Sequence, residues 1–374
     1  MRSLLVLIDG LGDEPIACWH GKTPFQQAEH INIDYLLRYG ISAEVSICED
    51  DLVPESCSCI LRLLGVTNKF IPQSRSYLEL LAHNRDISEF EMVMRCNLIA
   101  VTDDGKMAAF NGAGLSSADL QQATSVCDNL FKDVEFIHLS DYRNLLILNR
   151  EQSVLDCAVP PPHENVGGNV DELLAEIMTK SLSVRYFLRS AEEKLQKFSH
   201  DGMHYRLYPW GAADRCLLPS FYQLHHLQGA AVCKAEIVAG IAKALDMQLV
   251  TPEHATGDID TDVAAKAAAA LDLLQQHDFV IAHFNGSDEA SHRYDAEGKK
   301  SFIERIDRDF IGKVIQNYSE PLKIVICGDH VTSSVNGKHG RGTVPVVAAV
   351  LNGNKEIKIN NYHDILNFLM RESD

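Results

Sequence analysis

Three stretches of this chain end in side chains able to hold a cation or move a proton. The first is Leu4-Leu5-Val6-Leu7-Ile8, which runs into Asp9-Gly10. The second is 278–292, DFVIAHFNGSDEASH, where Asp288 and His292 stand four apart, so that a helical turn puts both on one face. The third is 324–345, IVICGDHVTSSVNGKHGRGTVP, with adjacent Asp329 and His330 and then His339, in a loop that also holds Gly337 and Gly340. A lone Asp-His pair after an apolar run equally fits a strand, a polar turn and a hydrogen-bonded histidine at its mouth. Three such ends in one chain shift the balance toward chemistry. Asp9, Asp288, His292, Asp329, His330 and His339 form a mixed oxygen and nitrogen set of the kind that suits Mn²⁺ or Zn²⁺. Six donors exceed the need of one open catalytic metal and point to two metals sharing a site.

Such side chains need a frame. An apolar run that stops on a carboxylate reads as a buried strand delivering it to the carboxyl edge of a parallel sheet, where open α/β sheets bind ligands. Helix-like and strand-like stretches alternate with these runs. Residues 33–39 read as a short helix with Gly40 as its cap, 229–245 as a strand running into a buried helix, and 263–276 as an Ala-rich helix. This alternation means an α/β fold with a doubly wound, mostly parallel sheet.

In 53–65, VPESCSCILRLLG, Pro54 stands where a loop enters a helix whose apolar face is Ile60, Leu61, Leu63 and Leu64. Ser56 then lies near a helix N-terminus, where backbone N–H groups and the helix dipole favour an anion. A serine there also serves as an N-cap. As a nucleophile it needs activation, and a metal ion is one means.

At 374 residues the chain accommodates two domains, or one with an insertion. Strand-like runs at 91–101 and 145–148 flank a helix-like 116–131, and Pro160-Pro161-Pro162-His163 punctuates the return to the main domain. The expected division is a core of 1–69 with 165–374 and an inserted unit of 70–164. Within the core, 171–198 reads as a long helix broken near 182–184. A formal charge of −18 argues against nucleic acid as a partner. Ten cysteines without a CxxC pair suggest reduced thiols in a cytoplasmic protein. The first apolar run is too short for a signal peptide, and no stretch reaches the length of a membrane span. Oligomeric state is not readable.

Taken in order, the chain also carries Ile8-Asp9-Gly10-Leu11-Gly12-Asp13, Lys22-Thr23-Pro24, Pro54 and Ser56 with Leu64-Gly65, Arg75 and Glu79, Arg95-Cys96-Asn97 and Tyr142-Arg143. Then come Pro162-His163, Trp210-Gly211, Ala255-Thr256-Gly257-Asp258, Asp288 with His292, Asp329-His330, and His339. Each motif is short, but their ordered combination over almost the whole chain resembles the archaeal type of cofactor-independent phosphoglycerate mutase, in the alkaline phosphatase superfamily. The resemblance implies an alkaline-phosphatase-like core with an inserted lid and a small phosphorylated metabolite as partner. The implied reaction interconverts 2-phosphoglycerate and 3-phosphoglycerate through a phosphoserine on Ser56. One divalent ion would be held by Asp288, His292 and His339, and the other by Asp9, Ser56, Asp329 and His330, with Mg²⁺ admissible beside Mn²⁺ and Zn²⁺.

The resemblance also implies that Arg95 and Arg143 reach substrate from the lid, with Arg75 and Lys234 as further candidates. Guanidinium groups clamp carboxylate and phosphate bidentately. The alternative for each arginine is a surface charge or ion pair, and for Lys234 a stem that snorkels to solvent. Departures from the family pattern are Glu55-Ser56-Cys57 at the nucleophile, Cys59 and Ile60 after it, Ser76-Tyr77 after Arg75, Leu115 in place of an arginine, and Ala212-Ala213 after Gly211. They keep open a phosphatase or a kinase-type phosphotransferase on another small metabolite, homoserine-kinase-like. A non-catalytic metal-binding homologue is a third reading.

Overall fold

The apolar runs that end on charged residues are strands. The computed structural model describes residues 1–47, 54–354 and 356–371. It divides into two compact units, Met1–Ile71 with Leu217–Asp374, and Pro72–Cys216. The first unit is built on a seven-stranded sheet in the order Gln248–Val250, Gly229–Val232, Phe279–Phe284, Arg2–Ile8, Leu322–Cys327, Val344–Leu351, Gly40–Val45. The first five run parallel, and Val344–Leu351 is antiparallel to both of its neighbours. Arg2–Ile8 lies between Phe279–Phe284 and Leu322–Cys327, so the residues after Ile8, Phe284 and Cys327 emerge side by side on one edge.

Both faces of this sheet are covered, which is why its central strands read as unbroken apolar runs. Leu4, Val6, Ile8, Val280, Ala282, Phe284, Ile324 and Ile326 face one way, onto a core completed by Ile33, Leu36, Ala267, Leu274, Phe302 and Phe310. On the other face, Tyr362–Met370 packs on Arg2–Ile8 and Leu322–Cys327 and meets the helix Ser56–Leu63. Among the described residues no helix is long and apolar enough to cross a membrane.

Gly40 is not a helix cap. The helix Ile31–Leu37 closes on Arg38, and Gly40 opens the strand Gly40–Val45, opposite Ala349. A Cβ there would collide with the Ala348 carbonyl oxygen, so close backbone approach is what selects glycine.

In the second unit an antiparallel sheet runs Val134–Ser140, Arg143–Asn149, Glu91–Thr102, Met203–Ala213, Ser199–His200, with Met107–Ala109 paired to Glu91–Thr102. Helices Ser117–Ser125, Val170–Lys180 and Leu182–Leu195 cover one face through Ala123, Leu174, Ile177, Val184 and Phe187. Helix Ser76–Ala82 covers the other through Tyr77 and Leu80, against Val93, Leu145 and Ile147. The expected return to the core at residue 165 is therefore corrected to 217. The proline run at 160–162 lies inside the unit, and the chain goes on to add two helices and the strand Met203–Ala213, which pairs along most of Glu91–Thr102. The break expected near 182–184 falls at Ser181, whose hydroxyl accepts from the Val184 N–H and starts the second helix.

Candidate metal centre

The three strand ends bring all of the predicted donors of the first unit together. Asp9 follows the end of Arg2–Ile8 and Asp329 and His330 follow Leu322–Cys327. Asp288 and His292 lie on the helix Gly286–His292, and His339 lies on the short strand His339–Gly340, paired with Val331–Thr332. Ser56 is the first residue of the helix Ser56–Leu63 and not its cap: Glu55 holds the N-cap position, in extended conformation. The Ser56 hydroxyl is accordingly directed at the cluster, 3.3 Å from both oxygens of Asp9 and 3.2 Å from His330 Nε2.

The donors form two overlapping groups, Asp9 with Asp329 and His330, and Asp288 with His330 and His339, so that His330 belongs to both. His330 Nε2 is 3.4 Å from Asp9 Oδ1 and 3.4 Å from Asp329 Oδ2. Asp288 Oδ1 is 3.4 Å from His339 Nε2, and Asp288 Oδ2 is 3.2 Å from His292 Nε2. The backbone N–H groups of Gly10 and His330 donate to Asp329 Oδ1, at 3.1 and 3.0 Å, whereas Asp329 Oδ2 is buried without a hydrogen-bond partner.

The histidines are oriented as cation ligands are. His292 Nδ1 donates to the Gly337 carbonyl at 2.8 Å, and His339 Nδ1 to the Pro54 carbonyl at 2.9 Å. A carbonyl only accepts, so Nδ1 carries the proton in each ring and Nε2, the atom that can donate to Asp288 or ligate a cation, is turned inward; those two atoms face one another at 3.2 Å. Thr332 Oγ1 donates to Asp288 Oδ1 at 2.6 Å and is left to accept from His330 Nδ1 at 3.1 Å, which turns the third Nε2 inward too. Carbonyls and hydroxyls in this position fix the tautomer of metal-binding histidines.

The electrostatics agree. Burial and the nearby Asp329 and Asp288 push the Asp9 carboxyl well above the usual carboxylate range. Burial also raises Asp288, but hydrogen bonds from His292 and His339 outweigh it and hold that carboxyl well below its usual range. The hydrogen bond to Asp288 lifts His292 to about 9. Three buried carboxylates facing inward imidazole nitrogens are compensated by divalent charge, so the donor set fits a metal.

The chain matches the metalloenzyme superfamily over residues 1–367. The 2,3-bisphosphoglycerate-independent phosphoglycerate mutase of Metallosphaera sedula is 30% identical over 93% of this chain and 88% of its own length. That of Thermococcus kodakarensis is 28% identical over 93% and 88%. Among solved structures, a protein of Pyrococcus horikoshii superposes with a TM-score of 0.76 at 25% identity, covering 99% of this chain and 96% of that one. A cofactor-independent phosphoglycerate mutase from Thermoplasma acidophilum has the same fold, with a TM-score of 0.59 at 20% identity and 99% coverage of both chains. The chain belongs to the metalloenzyme superfamily, in the 2,3-bisphosphoglycerate-independent phosphoglycerate mutase family. As a member it binds divalent metal.

The predicted arginines of this metalloenzyme all lie in its second unit. Glu79, buried, pairs with Arg75 Nε and Arg95 Nε, each at 3.0 Å. The Arg95 guanidinium lies over the Trp210 ring, 4.1 Å from its centroid, and Trp210 Nε1 donates to Asn97 Oδ1 at 3.0 Å. Burial lowers Arg95 to about 10; Glu79 opposes that, while Arg75 and Arg143 add to it. Arg143 Nη2 donates to Ser140 Oγ at 2.7 Å. Lys234, exposed and just beyond Gly229–Val232, takes no part in the hydrogen bonds of the metal centre among the described residues.

Sequence reasoning missed three contributors. Thr332 orients Asp288 and His330 at once. Lys299 is buried against Asp13. His283 reaches Asp9 from the neighbouring strand, its Nε2 3.0 Å from Asp9 Oδ2. The available signal for His283 was its place as the only polar residue in FVIAHF.

Proposed function

We propose that this protein is a phosphoglycerate mutase that interconverts 2-phosphoglycerate and 3-phosphoglycerate through a phosphoserine on Ser56. The observation that carries the reading is the Ser56 hydroxyl, on the first residue of a helix and 3.2–3.3 Å from the Asp9 carboxylate and His330. The names of the curated relatives supply the substrate class. Asp288, His292 and His339 would hold one ion, and Asp9, Asp329 and His330 with Ser56 the other, as Mn²⁺ or Zn²⁺. When bound, such ions lower the pKa of a hydroxyl and offset the charge of phosphoryl oxygens.

Ser56 Oγ attacks phosphorus, and the bond from phosphorus to the glycerate hydroxyl breaks. Oγ gives up its proton and the departing oxygen takes one. The N–H groups at the start of Ser56–Leu63 receive the phosphoryl oxygens. The glycerate then turns and takes the group back on its other hydroxyl, which regenerates the serine. Arg95, Arg143 and Arg75 are the candidates to hold the carboxylate and phosphate of the substrate. Lys234, at the carboxyl edge of the sheet, is the remaining substrate candidate.

A second reading is supported by Leu115, which packs against the apolar core of the second unit where the family pattern has an arginine. A weaker hold on the glycerate lets water take the phosphoryl group, giving a phosphatase. Phosphorus NMR of 3-phosphoglycerate with Mn²⁺-loaded enzyme separates the two. Appearance of 2-phosphoglycerate supports the mutase, inorganic phosphate alone supports the phosphatase, and unchanged 3-phosphoglycerate overturns both for this substrate.

A further inference from the structure

His283 lies inside the strand Phe279–Phe284, fully buried, in a position where its neighbours are apolar. Val280, Ala282 and Phe284 face the opposite core, so His283 shares its face with Phe279 and Ile281. Parallel pairing sets His283 beside Leu7, and the Asp9 N–H donates to the Phe284 carbonyl at 2.9 Å. The two strands thus bring the His283 ring to the Asp9 carboxylate, Nε2 to Oδ2, at 3.0 Å. The other ring nitrogen, Nδ1, is buried with no hydrogen-bond partner. Behind the strand the buried Lys266 donates from Nζ to the His283 carbonyl at 2.9 Å and lies over the Phe284 ring.

We infer that His283 is a positioning residue of the metal centre: its Nε2–H holds Asp9 Oδ2, which turns Asp9 Oδ1 toward His330. The inference rests on the reading of Asp9 as a metal ligand. A carboxylate that ligates a metal ion is ionised and only accepts, so on that reading the ring proton belongs on Nε2, and the orphaned nitrogen is the bare Nδ1. A ring kept merely for packing would leave neither nitrogen aimed at a carboxylate and the other without a partner. Partners one step behind a ligand typically change metal affinity by 10- to 100-fold.

The test is an electron paramagnetic resonance titration with Mn²⁺ alone, on the full chain and on the variants His283→Leu, His283→Gln and Asp9→Asn. The glutamine amide can present an N–H near the place of imidazole Nε2. The expected result is about 10- to 100-fold weaker Mn²⁺ binding for His283→Leu, recovery of most of that loss in His283→Gln, and weakened binding in Asp9→Asn. If Asp9→Asn weakens binding and His283→Leu binds as the wild type does, the inference falls and the metal centre stands. If Asp9→Asn binds as the wild type, the metal-centre reading falls and takes the inference with it. Equal losses in the leucine and glutamine variants would also overturn it, since packing alone then matters. Should His283→Leu not fold, nitrogen NMR of histidine-labelled wild type decides. A neutral ring protonated on Nε2 supports the role, and protonation on Nδ1 overturns it.

Discussion

Lys299 and Asp13 form an ion pair at 2.8 Å in which both side chains are completely buried. The same ammonium donates to the carbonyls of Gly10, Gly12 and Thr332 at 2.8, 3.2 and 3.0 Å, while Asp13 Oδ1 accepts from the Ser334 N–H at 3.0 Å. One lysine thus ties the loop that follows Asp9 to the loop that follows His330. Lys299→Met leaves a buried carboxylate without its counter-charge and takes the ammonium from the Gly10 and Thr332 carbonyls, while the Gly12 carbonyl keeps the Thr332 N–H. It should lower the unfolding free energy by about 3–5 kcal/mol, read from urea denaturation. A loss below about 1 kcal/mol would show that the loops hold one another without it.

Lys266 provides a pH-dependent test of the same region. Burial lowers its ammonium to about 8, from an ordinary value of 10.5. Below pH 8 both folded and unfolded chains keep the proton, and folding carries the cost of burying a charge. Between pH 8 and 10.5 only the unfolded chain keeps it, so stability rises with pH through that window. At 1.36 kcal/mol per pH unit the rise is on the order of 3 kcal/mol. Comparing wild type with Lys266→Met at pH 7.5 and pH 10.5 isolates this contribution from other groups. A difference in unfolding free energy that stays flat across the window contradicts it.

Ser56→Ala should abolish turnover with the fold unchanged. Because Ser56 is the first helical residue and Glu55 holds the cap position, the truncation removes no capping hydrogen bond. A stability change within about 0.5 kcal/mol is expected, as for substitutions away from core and cap. Ser58, the nearest alternative nucleophile, donates instead to the Glu55 carbonyl at 3.2 Å, within its own helix. Ser58→Ala should keep activity. An inactive Ser58→Ala beside an active Ser56→Ala would transfer the nucleophile to Ser58.

Because His330 belongs to both donor groups, removing it differs from removing any other ligand. Wild-type protein dialysed against Mn²⁺ should approach two ions per chain by elemental analysis. Asp288→Asn damages one group only and should retain about one, and His330→Ala should fall below one. Two-metal phosphoryl-transfer sites hold their ions about 3.5–4 Å apart, so loss of the imidazole that ligates one ion and lies against the donors of the other disturbs both. Wild-type stoichiometry below one ion per chain would remove the basis for the shared site.

Six of the candidate metal-centre positions were legible because they belong to stretches where an apolar run stops, and a parallel sheet collects such stops on one edge. Ser56 needed the helix that follows it. What stayed hidden lay inside regular elements. His283 is one polar residue in a buried strand, Lys299 sits on an amphipathic helix where a lysine reads as solvent-facing, and Thr332 gives no signal apart from its partners. The boundary of the second unit was misplaced for a related reason. Three prolines mark a turn whether or not the chain changes unit, and only the pairing of Met203–Ala213 with Glu91–Thr102 reveals where the unit closes. Gly40 shows the same limit, since a glycine after a helix signals a cap by default and close packing only in three dimensions.

Arg95 offers the sharpest test of substrate binding in the second unit. Its Nε is committed to Glu79 at 3.0 Å and its flat face to Trp210. A guanidinium held on one edge and one face keeps its terminal nitrogens in a defined plane, suited to a carboxylate or phosphate. A lysine at this position keeps the charge and can still pair with Glu79, but it neither stacks on the indole nor presents a second edge. Arg95→Lys should therefore fold normally and bind Mn²⁺ as the wild type does. The loss of a charge-assisted contact is worth about 1.5–3 kcal/mol, which corresponds to a KM for 3-phosphoglycerate raised roughly 10- to 100-fold. Steady-state kinetics at saturating Mn²⁺ measures it. If KM is unchanged while stability falls, Arg95 is the buried counter-charge of Glu79, and Arg143 and Arg75 are left to hold the substrate.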